Sequence, residues 1–140
     1  MLTYSARSDA APERAWDLVA RPDRWSQWAP HVRGAWGLGG DEVREGAMGA
    51  ARLFGVLPVP ARIVARSERA WTWRVGLVEM THRVDPRIDG GSTVSIDLRA
   101  PGPLEAPIAA AYGPVIAYTL ERLAHVAEHA HRVRRGRGTP

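Results

Sequence analysis

Val78-Glu79-Met80-Thr81-His82-Arg83-Val84-Asp85 and Thr93-Val94-Ser95-Ile96-Asp97-Leu98-Arg99, joined through Asp89-Gly90-Gly91, form the stretch that decides the fold. Each run alternates apolar and polar residues, the two-residue period of a strand with one buried face. Asp-Gly-Gly supplies residues that tolerate positive φ where two such runs turn back on each other. The pattern predicts an antiparallel hairpin of Val78–Arg87 with Thr93–Arg99. Toward the N-terminus, Ala70–Gly76, Val59–Ser67, Ala47–Phe54 and Val32–Leu38 show the same short alternation. Ser67-Glu68-Arg69, Pro58 and Gly39-Gly40-Asp41 punctuate them as turns do. The expected arrangement is a meander of successive hairpins, without a βαβ unit.

The ends of the chain differ in character. Leu2–Ser8 alternates weakly and reads as a first strand. Asp9-Ala10-Ala11-Pro12-Glu13 reads as a helix start, with proline at the first helical position and an acid at the positive end of the dipole. Arg21-Pro22-Asp23 restarts a second short helix that carries Trp25 and Trp28. It must end by Ala29, because Pro30 disfavours the helical conformation in the residue before it. After Pro101-Gly102-Pro103 the chain is helical to about His131. Tyr112, Ile116, Leu120, Leu123, Ala127 and Ala130 make its apolar stripe. Gly113-Pro114 predicts a kink or a break within it. The whole is an α+β domain over residues 1–131, a curved antiparallel sheet of about seven strands around a long C-terminal helix. Residues 132–140 read as a disordered Arg-rich tail.

Composition removes several functions. A chain of 140 residues, 45% hydrophobic, is one domain able to bury a core. It has no cysteine, which excludes disulfides, thiolate metal sites and cysteine nucleophiles. All 19 basic residues are arginine, so Schiff-base chemistry and a P-loop lysine are excluded. Arg132, Arg134, Arg135 and Arg137 account for the formal net charge of +4. The basicity therefore belongs to the tail, where no interleaved aromatic residue would stack bases, and no specific nucleic-acid partner is expected. The opening residues turn polar by the fifth position and no apolar run reaches bilayer length, so no secretory leader and no transmembrane segment are expected, and the location expected is cytoplasmic. No cofactor is expected: Gly34, Gly37, Gly39 and Gly40 do not follow the dinucleotide pattern. No metal site is expected either. His125 and His129 are spaced as in zinc helices, but His125 groups with Glu121, Glu128 and Arg132 opposite the apolar stripe, as on a solvated helix face.

Ala11-Pro12-Glu13-Arg14-Ala15-Trp16-Asp17-Leu18 and Arg21-Pro22-Asp23-Arg24-Trp25-Ser26-Gln27-Trp28, in an order of strand, two short helices, six strands and long helix, resemble the START-like (SRPBCC, Bet v 1-like) superfamily. Within it the chain looks like the polyketide cyclase/dehydrase-type branch. Met80-Thr81-His82-Arg83-Val84 leading into Asp89-Gly90-Gly91, and Ala100-Pro101-Gly102-Pro103-Leu104 before the last helix, support the likeness over residues 2 to 131. The resemblance implies a helix-grip fold with an apolar ligand between sheet and helix. It leaves the reaction open, since superfamily members include carriers, ring-closing enzymes, hydrolases and chaperone binders.

Val78, Met80, His82 and Val84 share one strand face, and His82 is the polar exception on it. A polar group on a buried face needs a partner, which makes His82 the candidate for a ligand hydrogen bond or for proton transfer. A core histidine satisfied by a neighbouring hydroxyl or carbonyl is the plainer alternative. Trp71 and Trp73 on the adjoining strand, with Ile96 beyond, extend an aromatic wall. Val59, Ala61, Ile63 and Ala65 are expected inward as well. Ala47, Gly49 and Ala51 are small enough to leave room opposite. Tyr112 and Ile116 bring the helix stripe to the same space. The ligand-contact set is therefore Trp71, Trp73, Met80, His82, Ile96, Tyr112 and Ile116. Trp25, Trp28, His31 and Trp36 are expected to pack near the entrance. Three functions are compatible: a binder of a polyketide, lipid or isoprenoid; an aromatase/cyclase or dehydrase with His82 moving the proton; or an interaction module without ligand. Oligomeric state is not written in the residues.

Overall fold

The computed structural model describes residues 1–29, 31–39, 41–53 and 57–137. Pro30, Gly40 and Phe54, assigned above to a helix stop, a turn and a strand end, lie outside that set, as do residues 138–140. The strands are β1 (Leu2–Ser8), β2 (Val32–Trp36), β3 (Met48–Leu53), β4 (Leu57–Arg66), β5 (Ala70–Val75), β6 (Val78–Pro86) and β7 (Ser92–Arg99). They form one antiparallel sheet in the order β1-β7-β6-β5-β4-β3-β2. Helix α1 (Pro12–Ala20) and a 3-10 helix (Pro22–Gln27) carry the chain from one sheet edge to the other. Helix α2 (Glu105–Arg137) packs against β1, β7 and α1. The antiparallel meander expected from the alternation is present, and so is the α+β helix-grip architecture that the resemblance implies.

Alternation sorts the two faces as a strand pleat must. Trp71, Trp73, Met80, His82, Val84, Val94, Ile96 and Leu98 are buried on the concave side. The convex side carries cross-strand polar pairs: Thr72 with Thr81 at 2.7 Å, and Arg83 bidentate to Asp97 at 3.1 and 2.9 Å. One inward assignment fails. A β-bulge between Ile63 and Ala65 shifts the register against β5, and Ala65 is exposed.

Gly49 has a different cause from the one its size suggests. It does not make room for a ligand: a Cβ there would lie 1.9 Å from the Trp36 carbonyl oxygen, so it is the close approach of β2 that requires glycine. Gly49→Ala is expected to cost about 2 kcal/mol by forcing the two backbones apart, read as a lower urea midpoint. Unchanged stability would show that β2 and β3 are not this close. Trp36, expected to pack, is half exposed.

Helix α2 also differs from expectation. It continues through Gly113-Pro114 without a break. Pro114 and Ala110 are both exposed, so the carbonyl that loses its bond to proline is within reach of solvent. Gly113 admits the Tyr4 ring, whose hydroxyl would stand 2.7 Å from a Cβ. The helix extends past His131 to Arg137, in a stretch rich in arginine, a good helix former. Ser8 Oγ donates to the Ala124 carbonyl at 3.0 Å, and Asp9 N–H to Glu128 at 2.8 Å, fastening α2 to the end of β1. His125 and His129 on this helix are exposed. No helix among the described residues is long and apolar enough to cross a membrane.

Candidate functional site

A helix leaves its last carbonyls without intrahelical donors. At the end of α1 indoles supply them. Trp28 Nε1 donates to the Leu18 carbonyl at 2.9 Å, and Trp25 and Trp71 both donate to that of Val19, at 2.9 and 3.2 Å. Val43 N–H donates to the Ala20 carbonyl at 2.9 Å. These bonds fix an aromatic stack on the concave face. Trp25 lies on Trp71 at 5.3 Å and 10°, and Trp71 on His82 at 3.9 Å and 12°. Trp73 meets Trp25 and Trp71 edge-on, at 5.3 and 5.8 Å.

His82 faces Trp71 on β5 and Ile96 on β7 and is only 4% exposed. Burial pushes its pKa down to about 3, with the carbonyls of Trp71 and Met80 and the charge of Asp97 acting in the opposite sense. Its Nδ1 has no hydrogen-bond partner among the described residues, and neither has the buried Nε1 of Trp73. Across the cleft His31 Nε2 and the Tyr112 hydroxyl are 2.6 Å apart. Burial lowers the pKa of His31 and raises that of Tyr112 to about 12, so both are neutral near pH 7.

Two adjoining chambers result. The inner one has about 30 Å3 of free volume, enough for one water-sized group. The seven expected contacts, Trp71, Trp73, Met80, His82, Ile96, Tyr112 and Ile116, all line it. So do Trp25, Trp28 and His31 from the entrance region, and Ala29, Val32, Val115 and Thr119, which the sequence did not single out. The outer chamber holds about 320 Å3. Of the expected contacts only Trp73, Met80 and Tyr112 reach it; its other walls are Ala51, Val59, Val75, Val78, Ile108 and Ala111. Extending the helix stripe back four residues from Tyr112 would have found Ile108. Deeper in, Leu120 and Leu123 meet Val19 and Trp28 with no free volume between them. Among the described residues, the helix side chains that line the two chambers, Ile108 to Thr119, belong to the first half of α2.

Residues 2–128 match the family described as polyketide cyclase / dehydrase and lipid transport. The chain belongs to this family. Its fold is that of solved START-like structures. A Thermobifida fusca protein studied in solution is 20% identical, with 91% of this chain and 93% of that one covered and a TM-score of 0.73. A Nitrosospira multiformis protein is 19% identical over 94% and 98%, with a TM-score of 0.70. A START superfamily protein from Mycobacterium smegmatis is 16% identical over 89% and 96%, at 0.65. At these identities the likeness is one of fold. No curated protein matches the sequence. Family and fold together point to a domain for hydrophobic ligands.

Proposed function

We propose that this protein binds an apolar small molecule of polyketide, lipid or isoprenoid type in the chamber between α2 and strands β3 to β6. The observation that carries the reading is about 320 Å3 of free volume whose described walls hold no charged side chain. That volume is at the lower end of small-molecule pockets. Burying about 200 Å2 of apolar ligand surface contributes about 5 kcal/mol before the costs of association.

Uptake of the neutral fluorescent probe N-phenylnaphthylamine tests it. Wild-type protein is expected to take up the probe. Ala51→Phe, which projects a ring into the chamber from β3, should weaken uptake at least about ten-fold while the fold is retained. Native mass spectrometry of the protein from its own organism would then give the mass of the resident ligand. No uptake by the wild type would sink the reading and leave a ligand-free interaction module.

Ring closure or dehydration of a polyketide-like chain, with His82 moving the proton, has one observation in its favour. The His82 Nδ1 is buried and unbonded on a side chain that lines the adjoining inner chamber. A pKa near 3 weighs against it, because proton transfer is most effective by a group titrating near the working pH. Turnover that vanishes in a His82→Phe protein still able to bind would support the enzyme.

A further inference from the structure

We infer that the ligand ends in a single uncharged oxygen function, an alcohol or a ketone, seated in the inner chamber, and that carboxylates are rejected; this rests on the binding reading above. Trp73 and His82 are 8% and 4% exposed, their rings meet edge-on at 6.0 Å, and both line the inner chamber. Each carries a buried nitrogen that no described protein group bonds. Buried polar atoms are nearly always paired, so two orphans on neighbouring rings mark a place for a polar group from outside the chain.

The chemistry of that group follows from the donors. An indole N–H only donates, while a neutral imidazole offers one donor and one acceptor. A hydroxyl can serve both rings, and a ketone oxygen can accept. The inner chamber, about 30 Å3, admits one such group and nothing larger. Trp73, Met80 and Tyr112 are walls of both chambers, so the two spaces adjoin, and a ligand body in the outer one would reach the inner one past these three side chains. No arginine, aspartate or glutamate among the described residues lines either space. Burial keeps His82 uncharged at neutral pH, so it provides no countercharge. A carboxylate would lose its hydration there without an ion to replace it.

Displacement of N-phenylnaphthylamine at pH 8 by octanol, octane and octanoate tests this. Octanol should compete about ten-fold better than either of the others. In Trp73→Phe, and separately in His82→Phe, its advantage over octane in the same variant should shrink toward parity. Octanoate competing as well as octanol, or an octanol preference that survives both substitutions, overturns the inference. Either result, with probe uptake still sensitive to Ala51→Phe, leaves the binding reading standing. No probe uptake at all removes both.

Discussion

Trp71→Ala is expected to lower the free energy of unfolding by about 4 kcal/mol, the middle of the range for deleting a buried aromatic ring. Trp71 is 1% exposed and stands between Trp25 and His82, so its removal opens a void on two sides at once. It also takes one of the two indole donors from the Val19 carbonyl, loosening the tie between α1 and the sheet. Trp71→Phe separates these effects. It keeps a ring in the stack and loses the N–H, and should cost about 1–2 kcal/mol. Urea unfolding at pH 7 measures both. A loss below about 2 kcal/mol for the alanine variant would mean that the stack does not hold α1 in place.

Acidification should destabilise the protein through His82, by roughly 1.4 kcal/mol for each pH unit below about 6.5. The sign follows from burial. The folded-state pKa is near 3 and the ordinary value is 6.5, so between those values the unfolded chain binds a proton that the folded one refuses. The stabilisation is complete above the ordinary value and is lost as pH falls toward 3. The lowered pKa of His31 acts in the same direction. His82→Phe keeps a ring on Trp71 and removes the unbonded nitrogen, so its stability at pH 7 should stay within about 1 kcal/mol of wild type. Its advantage should then grow as pH drops. Parallel pH profiles for the two proteins in urea unfolding would show that His82 is solvated in the folded state.

The lining of the inner chamber is largely legible in the sequence. Strand alternation placed Trp71, Trp73, Met80, His82 and Ile96 inward, and helical period placed Tyr112 and Ile116. The outer chamber is less so. The alternation turns Val59 and Val78 inward and sets the small Ala51 opposite, but a pattern of faces does not say whether the space before a face is filled. Gly49 shows the same limit: its smallness answers to a backbone neighbour and not to a void.

The order and type of the elements, their inward faces and the anomaly of His82 were determined by the sequence itself, because they depend on periods of two and of about 3.6 residues along a local run of chain. The tertiary structure decided the rest. The indole caps join residues up to 52 positions apart, and His31 meets Tyr112 across 81. The β-bulge before Ala65 depends on how β4 pairs with β5. The division into a tight inner and a roomy outer chamber depends on α2 packing closely beside α1 and standing off strands β3 to β6. Volume is a property of the gap between elements, and no single element's pattern contains it.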